Sequence, residues 1–244
     1  MFDALKRILG VNPLRPNWRA IAAWAREEGH QVKRVREGDG VVVEGRFEDD
    51  VPWRLEWGAS QREYIAPREL RLRIEAGLAP DLQMLVLTRS LGEKLERETF
   101  EQFTHTTQTY VDTAAPEEMR WLATFSRARL AGAKSLRNRY FAVAMEPAAV
   151  AAWVDRDLAA CLDDVATTLL AGDPPFVLMT LRGRIYLRVQ APRAEPPLFS
   201  QALALGRAAV GEARRISRFR LDTGDWPASA TTASQLSSIG STHQ

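Results

Sequence analysis

Cysteine and histidine are scarce in this sequence, which has a single cysteine, Cys161, and three histidines among 244 residues. One cysteine excludes an internal disulfide and any zinc site built from several thiolates. No two histidines lie at the close spacing of metal-ligand motifs. We therefore expect no bound metal or other cofactor, and we expect a reducing, cytoplasmic location.

Long apolar runs are also absent from the sequence. No stretch approaches the roughly 18 uncharged residues of a membrane-spanning helix, and the N-terminus has no signal-type apolar run. Residues 1–9 place Phe2, Leu5 and Ile8 on one helical face beside two cations, a pattern that could touch a membrane surface. A helix of about two turns is marginal alone, so docking onto its own domain is favoured.

Charge is balanced overall, with 33 basic and 31 acidic residues and a formal net charge of +2. This balance argues against a dedicated polyanion binder. The distribution is uneven, because residues 93–118 carry seven acids and two bases, whereas residues 127–139 carry five bases and no acid. With residues 182–188 the second segment could form a basic face, or it could be a solvated loop with cations at a helix C-terminus.

The first third of the chain has the pattern of one helix followed by strands. Asn17 predicts a helix N-cap and Gly29 the residue that ends that helix. After it, apolar and charged residues alternate between turn signals, as Leu70, Leu72 and Ile74 do, which predicts an antiparallel sheet with one buried and one charged side. The predicted strands are Gln31–Arg36, Val41–Glu48, Trp53–Trp57, Glu69–Glu75 and Leu82–Thr88.

The register of the first hairpin can be predicted from its charges. Pairing Arg46 with Glu56 sets unlike charges opposite each other, and the same register places Gly45 under the ring of Trp57. We therefore predict this register, with the turn at residues 50–52.

The second hairpin is predicted over residues 177–189. Its aliphatic residues share one face if Leu181 lies opposite Ile185, which makes residues 182–184 a three-residue turn. Thr180, Tyr186 and Arg188 then fall on the other face.

Helical patterns dominate the remainder of the chain. Ser90 begins a predicted helix that runs to about Gln102, and a weak strand is predicted from Phe103 to Val111. Pro116 begins a short helix, and Pro147 begins a long amphipathic one with apolar positions to Leu169. A final helix is predicted from residue 198 to residue 219.

These patterns together predict an α+β fold. We expect an N-terminal helix plus antiparallel sheet over residues 1–88, then a helix-rich α+β module with a β-hairpin over residues 89–220. One continuous core across that border is the alternative that the sequence leaves open. Residues 221–244 are poor in apolar residues and are predicted to form a disordered tail.

No catalytic motif outweighs a structural explanation, so we assign no catalytic residue and lean against an enzyme. Cys161 lies in an apolar helical stripe and is expected to be an inert thiol. His105 lies among threonines, a pattern best explained by an exposed edge strand. An enzyme of unfamiliar type stays open, because sequence spacing cannot reveal a pocket.

The function favoured by the sequence is that of a non-catalytic interaction or adaptor protein with a protein partner. The alternative is an anion or nucleic-acid binder using residues 127–139 and 182–188, in which cations would contact phosphates. The outer side of the second hairpin carries charges without an assigned cross-strand partner. The candidate binding surface comprises Arg137, Arg139, Arg182, Arg184, Tyr186 and Arg188.

Overall fold

Nine strands form one antiparallel sheet in the computed structural model, which describes residues 15–35, 39–105 and 115–227. Across the sheet the strand order is β1-β2-β3-β4-β9-β8-β5-β7-β6. The strands are β1 Gln31–Arg34, β2 Val41–Arg46, β3 Pro52–Ala59, β4 Arg68–Ile74, β5 Met84–Thr88, β6 Ser126–Arg127, β7 Tyr140–Ala144, β8 Phe176–Leu181 and β9 Arg184–Gln190.

Seven helices accompany the sheet in the described part of the chain. They are α1 Trp18–Glu27, α2 Arg89–His105, α3 Glu117–Thr124, α4 Lys134–Arg139, α5 Pro147–Trp153, α6 Arg156–Val165 and α7 Pro196–Thr223. The predicted α+β class, with a helix first and antiparallel strands after it, is confirmed.

The sheet is continuous across the predicted border between the two modules. β4, from the first module, pairs with β9, from the second, along six residue pairs from Glu69–Gln190 to Ile74–Ile185. The division at residue 89 stays a prediction, and this pairing is compatible with the alternative of one continuous core.

One face of the sheet is buried beneath helices. The long helix α7 crosses β4 so closely that a Cβ at Gly206 would lie 2.6 Å from Leu72 Cδ2 and 2.8 Å from Ile74 Cδ1, so a larger residue there would require these side chains to shift. Two buried indoles tie this layer together: Trp153 donates to the Ala209 carbonyl and Trp57 to the Ala191 carbonyl. This face holds the larger part of the apolar core.

The opposite face of the sheet is divided into two halves. What we call the covered half is formed by β5, β7 and β8, whose apolar side chains pack against Leu91 and Leu95 of α2 and Trp121 and Leu122 of α3. What we call the open half is formed by β1, β2, β3, β4 and β9, and its outward side chains are mostly charged.

The predicted register of the first hairpin is wrong. Glu44 lies opposite Arg54 and Gly45 opposite Trp53, with a turn in which Asp50 has a φ of 64°. Unlike charges still oppose each other and an indole still covers the glycine, as cross-strand physics favours. The predicted and the observed registers thus share these features, and they differ in the length of the turn, which is longer in the structure.

The predicted register of the second hairpin is also wrong. Leu181 pairs with Arg184, so the turn has two residues, Arg182 and Gly183, with φ values of 51° and 79°. Positive φ at both positions is what a tight type I′ turn requires. The shift by one residue turns Thr180 to the same face as Ile185, where its hydroxyl donates to the Leu82 carbonyl.

Helix boundaries differ from the predictions in three places. The helix predicted from Pro147 is interrupted near Arg156, whose φ is 45°, because α5 packs on the sheet and α6 on α7. The backbone of α2 continues to His105, so the predicted strand does not begin at Phe103. Helix α7 runs to Thr223. Residues 1–14, 36–38, 106–114 and 228–244 lie outside the described residues. They include the predicted N-terminal helix of residues 1–9, the end of the predicted strand of residues 103–111 and most of the predicted tail.

Candidate functional site

The two basic segments singled out from the sequence lie apart in the fold. Arg184, Tyr186 and Arg188 belong to β9, whereas Arg137 and Arg139 belong to α4, directly before β7. Strands β8 and β5 lie between β9 and β7. Three strand spacings, about 14 Å in all, separate β9 from β7, so the structure does not unite the two segments in one cluster.

The open half carries a ladder of alternating charges that runs across five strands. Like charges face each other directly at Arg54–Arg73 and Arg71–Arg188, and glutamates on the diagonals separate them. We call this the charge ladder; its contacts are Lys33–Glu44 2.7 Å, Glu44–Arg54 2.6 Å, Arg54–Glu56 2.5 Å, Glu56–Arg71 3.0 Å, Arg71–Glu69 3.3 Å and Glu69–Arg188 2.7 Å.

Glu69 is the buried centre of the charge ladder. Its side chain is 0% exposed, and it accepts from Arg71, from Arg188 and from the backbone N–H of Gln61 at 3.0 Å. Three donors on one carboxylate offset the desolvation of its charge. Arg188, predicted to be without a partner, is therefore held in a structural contact.

The other charged residues of the second hairpin have acidic neighbours as well. Arg184 donates to Glu75 at 2.7 Å, and this hydrogen bond raises the pKa of the guanidinium. Arg182, 77% exposed, lies 3.9 Å from Glu117. A binding role for this hairpin stays a prediction, but each of its three arginines has an acidic neighbour.

The two predicted arginines of α4 have different environments. Arg139 donates to the carbonyls of Ala166, at 2.7 Å, and of Leu170, beyond the end of α6. Such contacts satisfy carbonyls that a helix end leaves without partners. Arg137, in contrast, points an exposed side chain into a cleft.

That cleft, which we call the arginine cleft, has a volume of about 380 Å³. No acidic residue lines it. Its lining comprises Arg89, Arg127, Ala128, Arg129, Leu130, Arg137, Tyr140, Phe141 and Ala142.

Two of the four arginines are anchored by contacts within the protein. Arg89, at the first position of α2, donates to the carbonyls of Asn138, at 2.8 Å, and Tyr140, at 3.2 Å. Arg127, on edge strand β6, lies 4.0 Å over the ring of Phe141 and donates to Glu96 at 2.8 Å. These contacts fix the walls of the cleft.

The other two arginines are exposed, and neither forms an ion pair with any residue in the described ranges. Arg129 lies just after β6, and Arg137 lies in the last turn of α4. Arg89 was missed at the sequence level because it is about 40 residues from the basic segment. Only the pairing of β5 with β7 brings it there.

A buried carboxylate joins the covered and open halves of the sheet. Glu118, on α3, is fully buried and accepts from Arg62 and from the Tyr64 hydroxyl at 2.5 Å. Burial and the Glu118 charge raise the pKa of Tyr64. Both hydrogen bonds are accepted by one oxygen, Oε1, and they connect α3 to the segment before β4.

Other candidate chemistry is sparse in the described residues. Cys161 is half-buried, and burial raises the pKa of its thiol, so little of the reactive thiolate forms. No group of three potential metal ligands is found in residues 15–35, 39–105 and 115–227. No helix in the same ranges is long and apolar enough to cross a membrane.

Comparison of the chain with protein-family models, curated proteins and solved structures found no match.

Proposed function

We propose that this chain is a non-catalytic interaction protein that recognises a phosphate or carboxylate group of a protein partner through the arginine cleft. The observation that carries the proposal is a cleft lined by four arginines and no acid. The guanidinium group binds phosphates and carboxylates through paired, charge-assisted hydrogen bonds.

The charge ladder supports the assignment by contrast. In the charge ladder a glutamate accompanies the arginines, as Glu69 accompanies Arg71 and Arg188. Arg129 and Arg137 have no such companion among the described residues. Holding unpaired cations together costs repulsion, which an anionic group on a partner would relieve.

The size of the cleft favours a single anionic group over a nucleic-acid strand. A volume of about 380 Å³ is near the lower end of the range for ligand sites. The second basic segment, which a nucleic acid would also need, is accompanied by acids. A nucleic acid is therefore the alternative outcome of the test.

The test compares three probes that differ in their anionic groups: an aspartate-rich peptide, the same peptide with phosphoserine, and a single-stranded oligonucleotide. The Arg129→Glu plus Arg137→Glu variant should weaken binding of the acidic peptides by about 10-fold or more, since hydrogen bonds to charged groups contribute about 1.5–3 kcal/mol each. Titration calorimetry measures the affinities.

The matched control is Arg19→Glu plus Arg26→Glu, which makes the same change in net charge at two exposed positions of α1, outside the cleft. Its peptide affinity should stay within about twofold, because separated surface charges are screened by salt. Equal losses in both variants would overturn the proposal. So would tight oligonucleotide binding whose salt dependence indicates contacts with many phosphates.

A cytoplasmic location is part of the same proposal. The single cysteine supports it, since secreted proteins of comparable size often carry disulfides. Fractionation of cells that express the tagged chain checks it, and recovery in an oxidising compartment would contradict it.

A further inference from the structure

Strand β6 forms one edge of the sheet, beside the arginine cleft. In the described ranges it pairs with β7 alone, Ser126 with Ala144 and Arg127 with Val143, and both residues of β6 are exposed. An edge strand presents backbone N–H and C=O groups with which another chain can pair. The arginine cleft therefore has an open strand edge as one of its borders.

The alternation of the ladder shows which backbone groups of this edge face outward. The N–H of Ala128 donates to the Ala142 carbonyl at 2.9 Å, so Ala128 and Ser126 direct their backbone groups toward β7. The N–H and C=O of Arg127 then point away from β7, and no described residue hydrogen-bonds to either of them. Phe125 is also extended, with φ −93° and ψ 153°, so its carbonyl lies along the same edge.

The charge of the cleft lies next to this edge. Arg127 and Arg129, two residues apart, both line the cleft, and no acidic residue does. A strand added to the edge would lie about 4.8 Å from β6. Its side chain opposite Arg127, and every second one after it, would point to the same face of the sheet as Arg127. Acidic side chains at alternate positions would therefore lie beside the arginines.

The other edge of the sheet, formed by β1, differs in charge. The cleft at that end, which Gln31 of β1 lines, has three glutamates among its lining residues, Glu28, Glu44 and Glu75. Carboxylates there would repel an acidic segment. Among the described residues, the β6 edge is therefore the sheet edge that complements an acidic partner.

We infer that the acidic segment of the protein partner binds as an extended strand added to the β6 edge, with its acidic side chains at alternate positions facing the arginine cleft. This inference rests on the proposed function and adds the conformation and the sequence pattern of the partner. In strand addition, main-chain hydrogen bonds give affinity and alternate side chains give specificity. Acidic residues at positions i and i+2 are therefore recognised, and adjacent ones are not recognised together.

The first test compares two peptides of the same composition. One alternates threonine and aspartate, so that all of its aspartates lie on one side of a strand. In the other the aspartates form one block, so that half of them lie on each side. The alternating peptide should bind about 3-fold or more tightly in titration calorimetry, because it forms more unlike cross-strand pairs. Equal affinities would contradict the inferred pattern.

The second test methylates one central backbone nitrogen of the alternating peptide at a time. Only every second amide of an added strand donates to β6: those of the aspartates in antiparallel pairing and those of the threonines in parallel pairing. Methylation should weaken binding by about 10-fold or more in one of these sets and by less than about 2-fold in the other. Similar effects in both sets would overturn the inference. The proposed function would still hold if Arg129→Glu plus Arg137→Glu weakened binding of the same peptide.

A pair of variants tests the same edge from the side of the protein. Arg127→Pro and Arg127→Ala both remove the guanidinium, but only proline also removes the outward N–H, and proline is tolerated on edge strands where the N–H faces solvent. Arg127→Pro should bind the alternating peptide about 5-fold or more weakly than Arg127→Ala. Equal affinities of the two variants would overturn the inference. The methylated peptides, which are tested on the unchanged protein, decide the question if proline disturbs the fold.

Discussion

The covered and open halves of one sheet face are stabilised in different ways. In the covered half, apolar side chains of three strands are buried by α2 and α3. In the open half, basic residues and glutamates of five strands contact each other along the charge ladder. Apolar burial stabilises in proportion to area, whereas exposed ion pairs contribute little each. The covered half should therefore hold most of the stability of this face.

The same comparison clarifies where arginines are available to a partner. In the open half, glutamates on the diagonals accompany the arginines of neighbouring strands. At the far edge of the covered half, Arg127 has Glu96, but Arg129 and Arg137 have no acidic partner in the described ranges. The glutamates, more than the arginines, distinguish a structural charge network from a candidate binding site.

The largest effect is expected from truncation in the covered half. Trp121→Ala should lower the free energy of unfolding by about 3–5 kcal/mol, because a buried indole is lost and a cavity remains. Arg54→Ala, at a position of the charge ladder whose side chain is 38% exposed, should cost less than about 1 kcal/mol. Urea unfolding measures both, and similar costs would break the comparison.

A somewhat smaller effect is expected at the buried centre of the open half. Glu69→Ala should cost about 3 kcal/mol, because Arg71 and Arg188 lose their shared carboxylate but can turn toward solvent. Glu63→Ala, at an exposed position, should stay within about 0.5 kcal/mol of the wild type.

A compensated variant sharpens this result. Glu69→Leu with Arg71→Met and Arg188→Met should recover most of the lost stability, since apolar groups can replace a buried ion cluster. No recovery in the triple variant would contradict the expectation that apolar side chains can replace this ion cluster.

The smallest expected effect is a dependence of the free energy of unfolding on pH in the acidic range. Hydrogen bonds from Lys33 and Arg54 lower the pKa of Glu44 below the ordinary 4.5. For Glu56, burial acts to raise the pKa, but hydrogen bonds from Arg54 and Arg71 outweigh it, and the pKa is also lowered. Carboxyls with lowered pKa values in the folded state stabilise fully above their unfolded pKa and lose this contribution as the pH falls through the folded value.

The matching experiment compares the wild type with Glu44→Gln plus Glu56→Gln at pH 6 and at pH 3. The wild type should be more stable by on the order of 1 kcal/mol at pH 6, and the difference should shrink at pH 3. Glu27→Gln plus Glu63→Gln removes two exposed acids elsewhere and serves as the control. A difference that does not change with pH would contradict the role of the charge ladder.

Sequence patterns located the strands well but not their partners. The alternation of Leu70, Leu72 and Ile74 with charged residues predicted the two faces of β4, and both are observed. The register of the second hairpin was wrong because β8 is apolar on both faces, with Leu178 turned to one helical layer and Met179 to the other. A central strand of this kind gives no alternation from which to read a register.

The candidate sites were less accessible to sequence reasoning. The basic segment of residues 127–139 was visible as a charge run, and Arg137 belongs to the arginine cleft. Arg89 joins it only through the pairing of β5 with β7. This long-range pairing leaves no local signal in the sequence.

The sequence by itself determined the α+β class, most strand positions and the scarcity of metal-binding side chains, because these depend on local periodicity and composition. The tertiary structure alone decided which arginines have glutamate partners and which face a cleft. Strand order brings together charges from five strands, and ion pairing depends on distances of a few ångströms between residues far apart in the chain.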